Sequence, residues 1–319
     1  MNKYNIPLVF AVKHKDIDVR MESRSGGIFT ALSDYILENN GIVYGCILTE
    51  NMLAEHIRVT SKEERDKMRG SKYIQSSLGN VFEYVKNDLI QGKQVLFSGT
   101  SCQIAGLQLF LGKEFTNLLC VDIVCHGVPS PLIWINYLKW QEERANSEIE
   151  SVDFRNKKDF GWNSHIESLY MKNNSRVDSE VFKELFYGHE ILRPCCHRCP
   201  YKSIMHPGNI TIADYWGIKN AAPGFDDNKG VSLVLLNDDI GKNMFNAVSD
   251  CLDFKECDIE KSMQPPLEAP FPSPDNRYNF WSDFYLKKFE CLARKYANYG
   301  WVNKMKRFIY KIIKKLLRR

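Results

Sequence analysis

The chain has 319 residues, 44% hydrophobic and 26% charged, the composition of a globular protein large enough for one or two cores. Its net charge of +4 is unevenly placed: residues 301–319 hold eight Lys or Arg and no acid, leaving 35 basic against 39 acidic residues elsewhere. A body of net −4 excludes a nucleic-acid-binding surface spread over the whole protein, and the N-terminal apolar run, broken at Lys13, is too short for a signal peptide or a membrane span.

In chain order, residues 7–12 ("PLVFAV") read as a strand, 26–41 as a helix closed by Gly41, 42–48 as a second strand and 55–60 as a third. Ser61 and Glu64 fit a capping box at the start of a charged helix. Residues 77–93 read as a helix ending near Gly92. A strand (94–99), a helix (101–113) and another strand (117–125) follow, then the turn "HGVPSP" and a long helix over 132–145. This alternation predicts an α/β protein, a mixed sheet flanked by helices. Beyond Asn146 strand patterns dominate, at 149–156, 164–173, 209–217 and 230–238, so the C-terminal half is expected to be richer in β-structure.

Three parts follow: an N-terminal α/β part (1–146), a second part with cofactor-facing strands (147–290) and a basic tail (291–319). The proline-rich stretch 264–277 reads as an exposed linker or wrapping segment. In the tail, Trp301, Met305, Phe308, Ile309, Ile312, Ile313, Leu316 and Leu317 recur in steps of three and four, an amphipathic C-terminal helix. Such a helix either docks on the body or lies in the interface of an anionic membrane.

Ten cysteines without a secretory signal point to a reducing, cytoplasmic setting in which disulfides are not expected. Cys46, Cys120, Cys251, Cys257 and Cys291 are scattered and read as core or incidental thiols. "RPCCHRCPYK" differs, because Cys196 and Cys199 can face one ion across a turn, as zinc, an iron–sulfur cluster or a redox dithiol requires. Cys102 opens a helix after a buried-looking strand, where the helix N-terminus favours a thiolate that can serve as nucleophile or ligand. Cys125 sits where another strand ends, so both thiols fall on the rim that lines the crevice of an α/β sheet. His126 reads as supporting rather than catalytic, since neighbours in sequence point apart.

Four thiolates suit a four-iron cluster or structural zinc, although the wide spacing of the first three argues against a compact zinc ribbon. Ser25, Gly26 and Gly27, set before a helix, read either as a phosphate cradle or as an N-cap with a tight turn. "RGSKY" adds Gly70, Ser71 and Lys72, a further Gly-Ser step between two cations, with a solvated loop as its plainer reading. Asp214 ends a strand and could hold a ring nitrogen or hydroxyl of a cofactor, and Lys229 could meet an anion; a turn cap and a solvated turn are the plainer readings.

"SRSGGIFTALSDYILENNGIVYGC", "MRGSKYIQSSLG", "VLFSGTSCQIAGLQLFL", "VDIVCHGVPSP", "CHRCPYK", "NITIADYWGI" and "DDNKGVSLVL" occur together in the order seen in one family. Over about residues 5–237 the chain resembles the coenzyme F420 hydrogenase/dehydrogenase beta-subunit family. The resemblance implies an iron–sulfur flavoprotein oxidoreductase that binds FAD and a [4Fe-4S] cluster, with a deazaflavin as acceptor in the named enzymes. It implies Cys102, Cys125, Cys196 and Cys199 as cluster ligands. Ser25, Gly26, Gly27, Gly70, Ser71 and Lys72 would lie at the flavin, with Asp214 and Lys229 as further contacts. Some members sit among polysaccharide-biosynthesis proteins, which suits a cytoplasmic enzyme peripheral to the inner face of a membrane.

Many relatives begin with a two-cluster ferredoxin module; this chain starts after it, so a separate ferredoxin-like donor is expected. It also has Ser101 where the family often has Pro, and Cys195 where it often has Ser; CxxC spacing favours Cys196 as ligand. The rival readings are a zinc-stabilised scaffold or binding protein without redox activity on the same fold, and a transferase with Cys102 as nucleophile. For the latter no suitably spaced base is evident.

Overall fold

The computed structural model describes residues 3–300 and Met305. Five strands come first: β1 (Lys3–His14), β2 (Ile42–Leu48), β3 (Ala54–Val59), β4 (Val95–Thr100) and β5 (Leu118–Ile123). A small antiparallel sheet follows, made of β6 (Ile149–Asp153), β7 (Glu167–Met171) and β8 (Arg176–Ser179). Then β9 (Ile210–Asp214), β10 (Ser232–Asp238) and β11 (Leu252–Cys257) join the first five in one eight-stranded sheet, in the order β11-β1-β10-β9-β5-β4-β2-β3. Both sides of residue 146 therefore build the same sheet.

Alternation along the strands explains the layers. Val12, Val43, Leu96, Val121 and Val234 share a core with the helices Ile28–Glu38 and Asp239–Ala247. The side chains between them point the other way: Tyr44, Phe97 and Cys120 meet the helices Val81–Ile90 and Ser101–Leu111, while Ala11, Leu233 and Leu235 meet Trp162 and Tyr215. β10 is covered on both faces, so all seven of its residues are buried. A separate core gathers Trp134, Tyr137, Phe182, Leu185, Phe280 and Leu292 beside the small sheet. Full burial of each such side chain is worth about 1.5–3 kcal/mol.

The pairing decides where the site lies. β2, β4, β5 and β9 run parallel, so their carboxyl ends emerge along one edge. β10 is antiparallel to both β9 and β1, which brings the start of β10 and the end of β1 to that edge as well. The chain between β5 and β9 carries the small sheet and the CxxC loop.

The mixed sheet flanked by helices agrees with the sequence expectation. The differences are local. β1 is longer than 7–12, the helix expected over 77–93 is Val81–Ile90, and β8, β11 and the helix Val181–Gly188 have no counterpart among the expected elements. Ser61 caps its helix by accepting from the Glu64 N–H at 3.3 Å, but the Glu64 carboxylate turns to the Thr60 N–H at 3.5 Å, so the reciprocal half of the box is displaced by one residue. The proline-rich segment wraps the body and includes a short helix, Pro265–Glu268. The described C-terminal helix is Phe289–Tyr296; the amphipathic tail from Trp301 lies outside the described residues except Met305, which is exposed.

Candidate functional site

Along the carboxyl edge of the sheet opens a cleft of about 670 Å³. Ser25 and Gly27 line it from the turn before the helix Ile28–Glu38, Gly70, Ser71 and Lys72 from the loop after the helix Lys62–Asp66, Cys125 from just beyond β5 and Asp214 from the end of β9. Cys125 and Asp214 meet there because β5 and β9 are parallel and finish together, whereas β3 is antiparallel to β2 and the chain after it returns to this edge.

The turn ahead of the helix Ile28–Glu38 folds back onto the sheet. The Gly26 carbonyl accepts from the His14 N–H at 2.7 Å, and the Gly26 N–H donates to Ser232 Oγ at 2.9 Å. A Cβ on Gly26 would stand 2.1 Å from the Val12 carbonyl oxygen and 2.6 Å from the Ser232 nitrogen. Its missing side chain is therefore required by backbone packing between β1 and β10. Gly27 adopts φ +92° and the next helix begins there. Ser25 spends its hydroxyl on the Val231 carbonyl at 2.6 Å, and the turn acts as a joint as well as a wall.

Lys72 is pinned. Its ammonium donates to the carbonyls of Lys67, Met68, Arg69 and Gly70 at 2.9–3.3 Å, closing the end of the preceding turn, and burial pulls its pKa down to about 8. A Cβ on Gly70 would meet nothing within 4 Å, so the backbone of this step faces open space. Lys229 is exposed on its turn, outside the cleft lining. Its backbone carbonyl accepts from buried Lys157 at 3.1 Å.

Asp214 bridges two guanidinium groups, Arg155 at 2.7 Å and Arg24 at 3.4 Å, with all three side chains largely buried. Both arginines and Arg69 also line the cleft, so its charged wall is predominantly cationic. Trp216 adds a flat face: it stacks on Trp162 with centroids 5.2 Å apart at 10°, and the Arg155 guanidinium lies 5.0 Å from its ring. Tyr73, Phe186, Tyr187, His126 and Phe271 extend this aromatic lining.

The thiols sit at one end of the cleft. Ser130 donates to Ile191, Arg193 donates to Val128, and Pro129 pairs with Leu192, which lays the Cys125 loop against the CxxC loop. The Val128 N–H then points at Cys196 Sγ, 3.4 Å away. Burial pushes the Cys125 thiol up to about 12; the Gly127 N–H opposes this, and the nearby Cys196 and Cys102 thiols add to it. Cys102, exposed at the start of the helix Ser101–Leu111, contacts Thr100 Oγ1 at 3.2 Å. Cys195 is exposed and Cys199 half-buried. Lys202 is buried close by, donating to the His126 carbonyl at 2.6 Å, its ammonium 4.3 Å from the Phe271 ring. His126 stacks on Phe271 and meets His189 at 2.8 Å between Nε2 atoms.

Among the described residues no three Cys, His, Asp or Glu side chains converge tightly enough to hold one metal ion. The donor chemistry nonetheless fits an anionic thiolate-held group. Thiols from three segments influence one another, two backbone N–H groups point at sulfur, and a buried ammonium stands beside them.

Arg24, Arg155, Lys202, Phe186, Tyr187 and Phe271 are not among the residues the sequence singles out. Arg24 lies inside "SRSGG" and Lys202 ends "CHRCPYK", so proximity to a motif is an available signal for those two. Arg155 has none, since its partner Asp214 is 59 residues away.

Two family models match the chain, both describing the beta subunit of coenzyme F420 hydrogenase/dehydrogenase. The model of its N-terminal part covers residues 9–83, and the model of its C terminus covers residues 92–262. No curated protein sequence matches the chain. Among solved structures, a chain of the F420-reducing [NiFe] hydrogenase complex from Methanosarcina barkeri is similar, with 18% identity and a TM-score of 0.54 over 80% of this chain and 85% of that one. At that identity the likeness is one of fold.

Proposed function

The chain belongs to the coenzyme F420 hydrogenase/dehydrogenase beta-subunit family, which implies an oxidoreductase, and on that premise we propose an iron–sulfur flavoprotein that passes electrons between a [4Fe-4S] cluster, FAD and a small acceptor. Cys125 carries the reading. It lines the cleft and is also the thiol that feels both Cys102 and Cys196, so one residue belongs to the flavin-sized space and to the thiol group.

Cys102, Cys125, Cys196 and Cys199 would hold the cluster; Ser25, Gly27 and the Gly70–Ser71 step would flank FAD. When bound, the two groups supply paired-electron exchange at the flavin and single-electron transfer at the cluster. The chain's own contribution is placement and charge. Trp216, stacked on Trp162 and with the Arg155 guanidinium over its ring, would add a partly exposed aromatic surface beside a planar ligand. Arg24, Arg155 and Arg69 attract the anionic parts of a ligand, while Asp214 holds the first two guanidinium groups in place. Lys72, committed to four carbonyls, fixes the loop rather than reaching for a phosphate.

A deazaflavin coenzyme is the acceptor we propose, with a separate ferredoxin-like protein as donor and polysaccharide assembly as the setting. Purification without oxygen, followed by assays for iron, acid-labile sulfide, zinc and released flavin, tests the core of the proposal. About four irons, four sulfides and one FAD per chain are expected. A colourless protein holding one zinc overturns it and leaves a zinc-stabilised scaffold.

A further inference from the structure

Three segments carry the four cysteines, and each contributes to a buried polar network that the proposed chemistry does not use. Asp122 lies on β5 three residues before Cys125. Ser101 directly precedes Cys102. His206 follows the CxxC loop, seven residues after Cys199. All three are buried. His206 Nδ1 lies 3.0 Å from Asp122 Oδ2 and 3.1 Å from Ser101 Oγ, and Asp122 Oδ1 accepts from Thr211 Oγ1 at 2.6 Å. Further along the Cys102 helix, Gln108 donates to the Pro207 carbonyl at 3.0 Å. A backbone bridge already joins the Cys125 loop to the CxxC loop; the Cys102 helix meets the end of the CxxC loop through this network.

As a stabilising device the network is poor. His206 Nε2 is buried without a partner, which costs free energy that an apolar residue of similar volume would avoid. What the network supplies is direction. With the Nδ1 proton shared between Asp122 Oδ2 and Ser101 Oγ as a bifurcated donor, both the tautomer and the ring plane of His206 are set, and Ser101 Oγ is located from the same nitrogen. The approach of this segment to β5 is close: a Cβ on Gly208 would lie 2.9 Å from Asp122 Oδ1.

We propose that Asp122, His206 and Ser101 are positioning residues for the four-thiol site, holding the start of the Cys102 helix and the end of the CxxC loop at a fixed distance from the strand that leads to Cys125. The inference rests on the iron–sulfur reading.

The test compares the full-length holoprotein with Ser101→Ala, His206→Phe and His206→Asn, all purified without oxygen. Iron release to a ferrous chelator should be about tenfold faster in Ser101→Ala and His206→Phe, the usual scale for losing a supporting contact to a metal ligand. The electron paramagnetic resonance g values of the reduced protein should shift. Flavin content and the melting midpoint of metal-free Ser101→Ala should match wild type. His206→Asn, whose amide can still donate to Asp122, should recover most of the retention. Wild-type release rates in Ser101→Ala and His206→Phe overturn the tie, and so does a metal-free midpoint that falls in step with iron loss. If His206→Phe does not fold, Ser101→Ala decides alone. A wild-type protein without iron overturns the cluster reading, and this inference with it, a result distinct from equal release.

Discussion

Lys202 is a buried cation with no carboxylate partner among the described residues. Burial lowers its pKa, and the thiols Cys125, Cys199 and Cys196 pull it back up. An ammonium without an anion is expensive away from water, so the side of the site that balances it is the sulfur side. On the iron–sulfur reading, the thiolates that would hold the cluster supply the missing negative charge. The proposed ligand set can be tested residue by residue. Cys102→Ser, Cys125→Ser, Cys196→Ser and Cys199→Ser should each lose most of the iron measured per chain. Cys195→Ser should keep it, because Cys195 is exposed while its neighbour Cys196 receives the Val128 N–H. Equal loss in all five variants would show that the ligand set is assigned wrongly, and survival of iron in Cys102→Ser or Cys125→Ser would return that thiol to an incidental role.

At the scale of elements, the small sheet holds its own titration. Glu167 on β7 is buried; its Oε1 accepts from the Lys183 N–H at 2.8 Å near the start of the helix Val181–Gly188, and its Oε2 has no partner. Burial pushes its pKa up to about 8, against the opposing N–H bonds. A raised folded-state pKa means that the folded chain binds more protons than the unfolded one between the ordinary glutamate value and about 8. Its contribution is thus full below about 4.5 and is lost as the pH rises through about 8. The melting midpoint of the metal-free protein should fall by several degrees between pH 5 and pH 8, and Glu167→Gln, which cannot ionise, should flatten that slope. Parallel slopes in the two proteins would remove Glu167 as the cause.

The same scale separates what the sequence discloses from what it hides. Cys102 and Cys125 are legible as rim residues because a strand followed by a turn is a local pattern, and the parallel sheet then puts both on one edge. The wrapping role of residues 264–277 is legible from its prolines, and Pro265, Pro266 and Phe271 line the cleft. The edge strand β11 is hidden because only Leu252 of its six residues is fully buried, so its apolar signal is weak. Gly26 is misleading: a glycine that admits a ligand and one that admits two strands look alike until the Val12 and Ser232 backbones are seen. The Asp122–His206–Ser101 network spans 84 and 105 residues of separation, which no periodicity can signal.

For the whole molecule, charge sets orientation. The described residues contain no helix long and apolar enough to cross a membrane, and outside residues 301–319 the chain carries 35 basic and 39 acidic residues. An anionic surface therefore repels the body as a whole and attracts the last nineteen residues, whose eight cations have no acid among them. Each cation near such a surface contributes about 1 kcal/mol, and the attraction is screened within about 10 Å at moderate salt. Neutral lipid offers the apolar residues of the tail a place but its cations none. The full-length protein should consequently sediment with anionic vesicles and not with neutral ones, should be released by raised salt, and should lose the interaction when the chain is ended at Gly300. Release by salt without dependence on the tail would place the attraction on a basic patch of the body. If neither form binds anionic vesicles, the apolar stripe of residues 301–317 has to be satisfied by the protein itself, and the tail is a docking element whose removal should lower the melting midpoint instead.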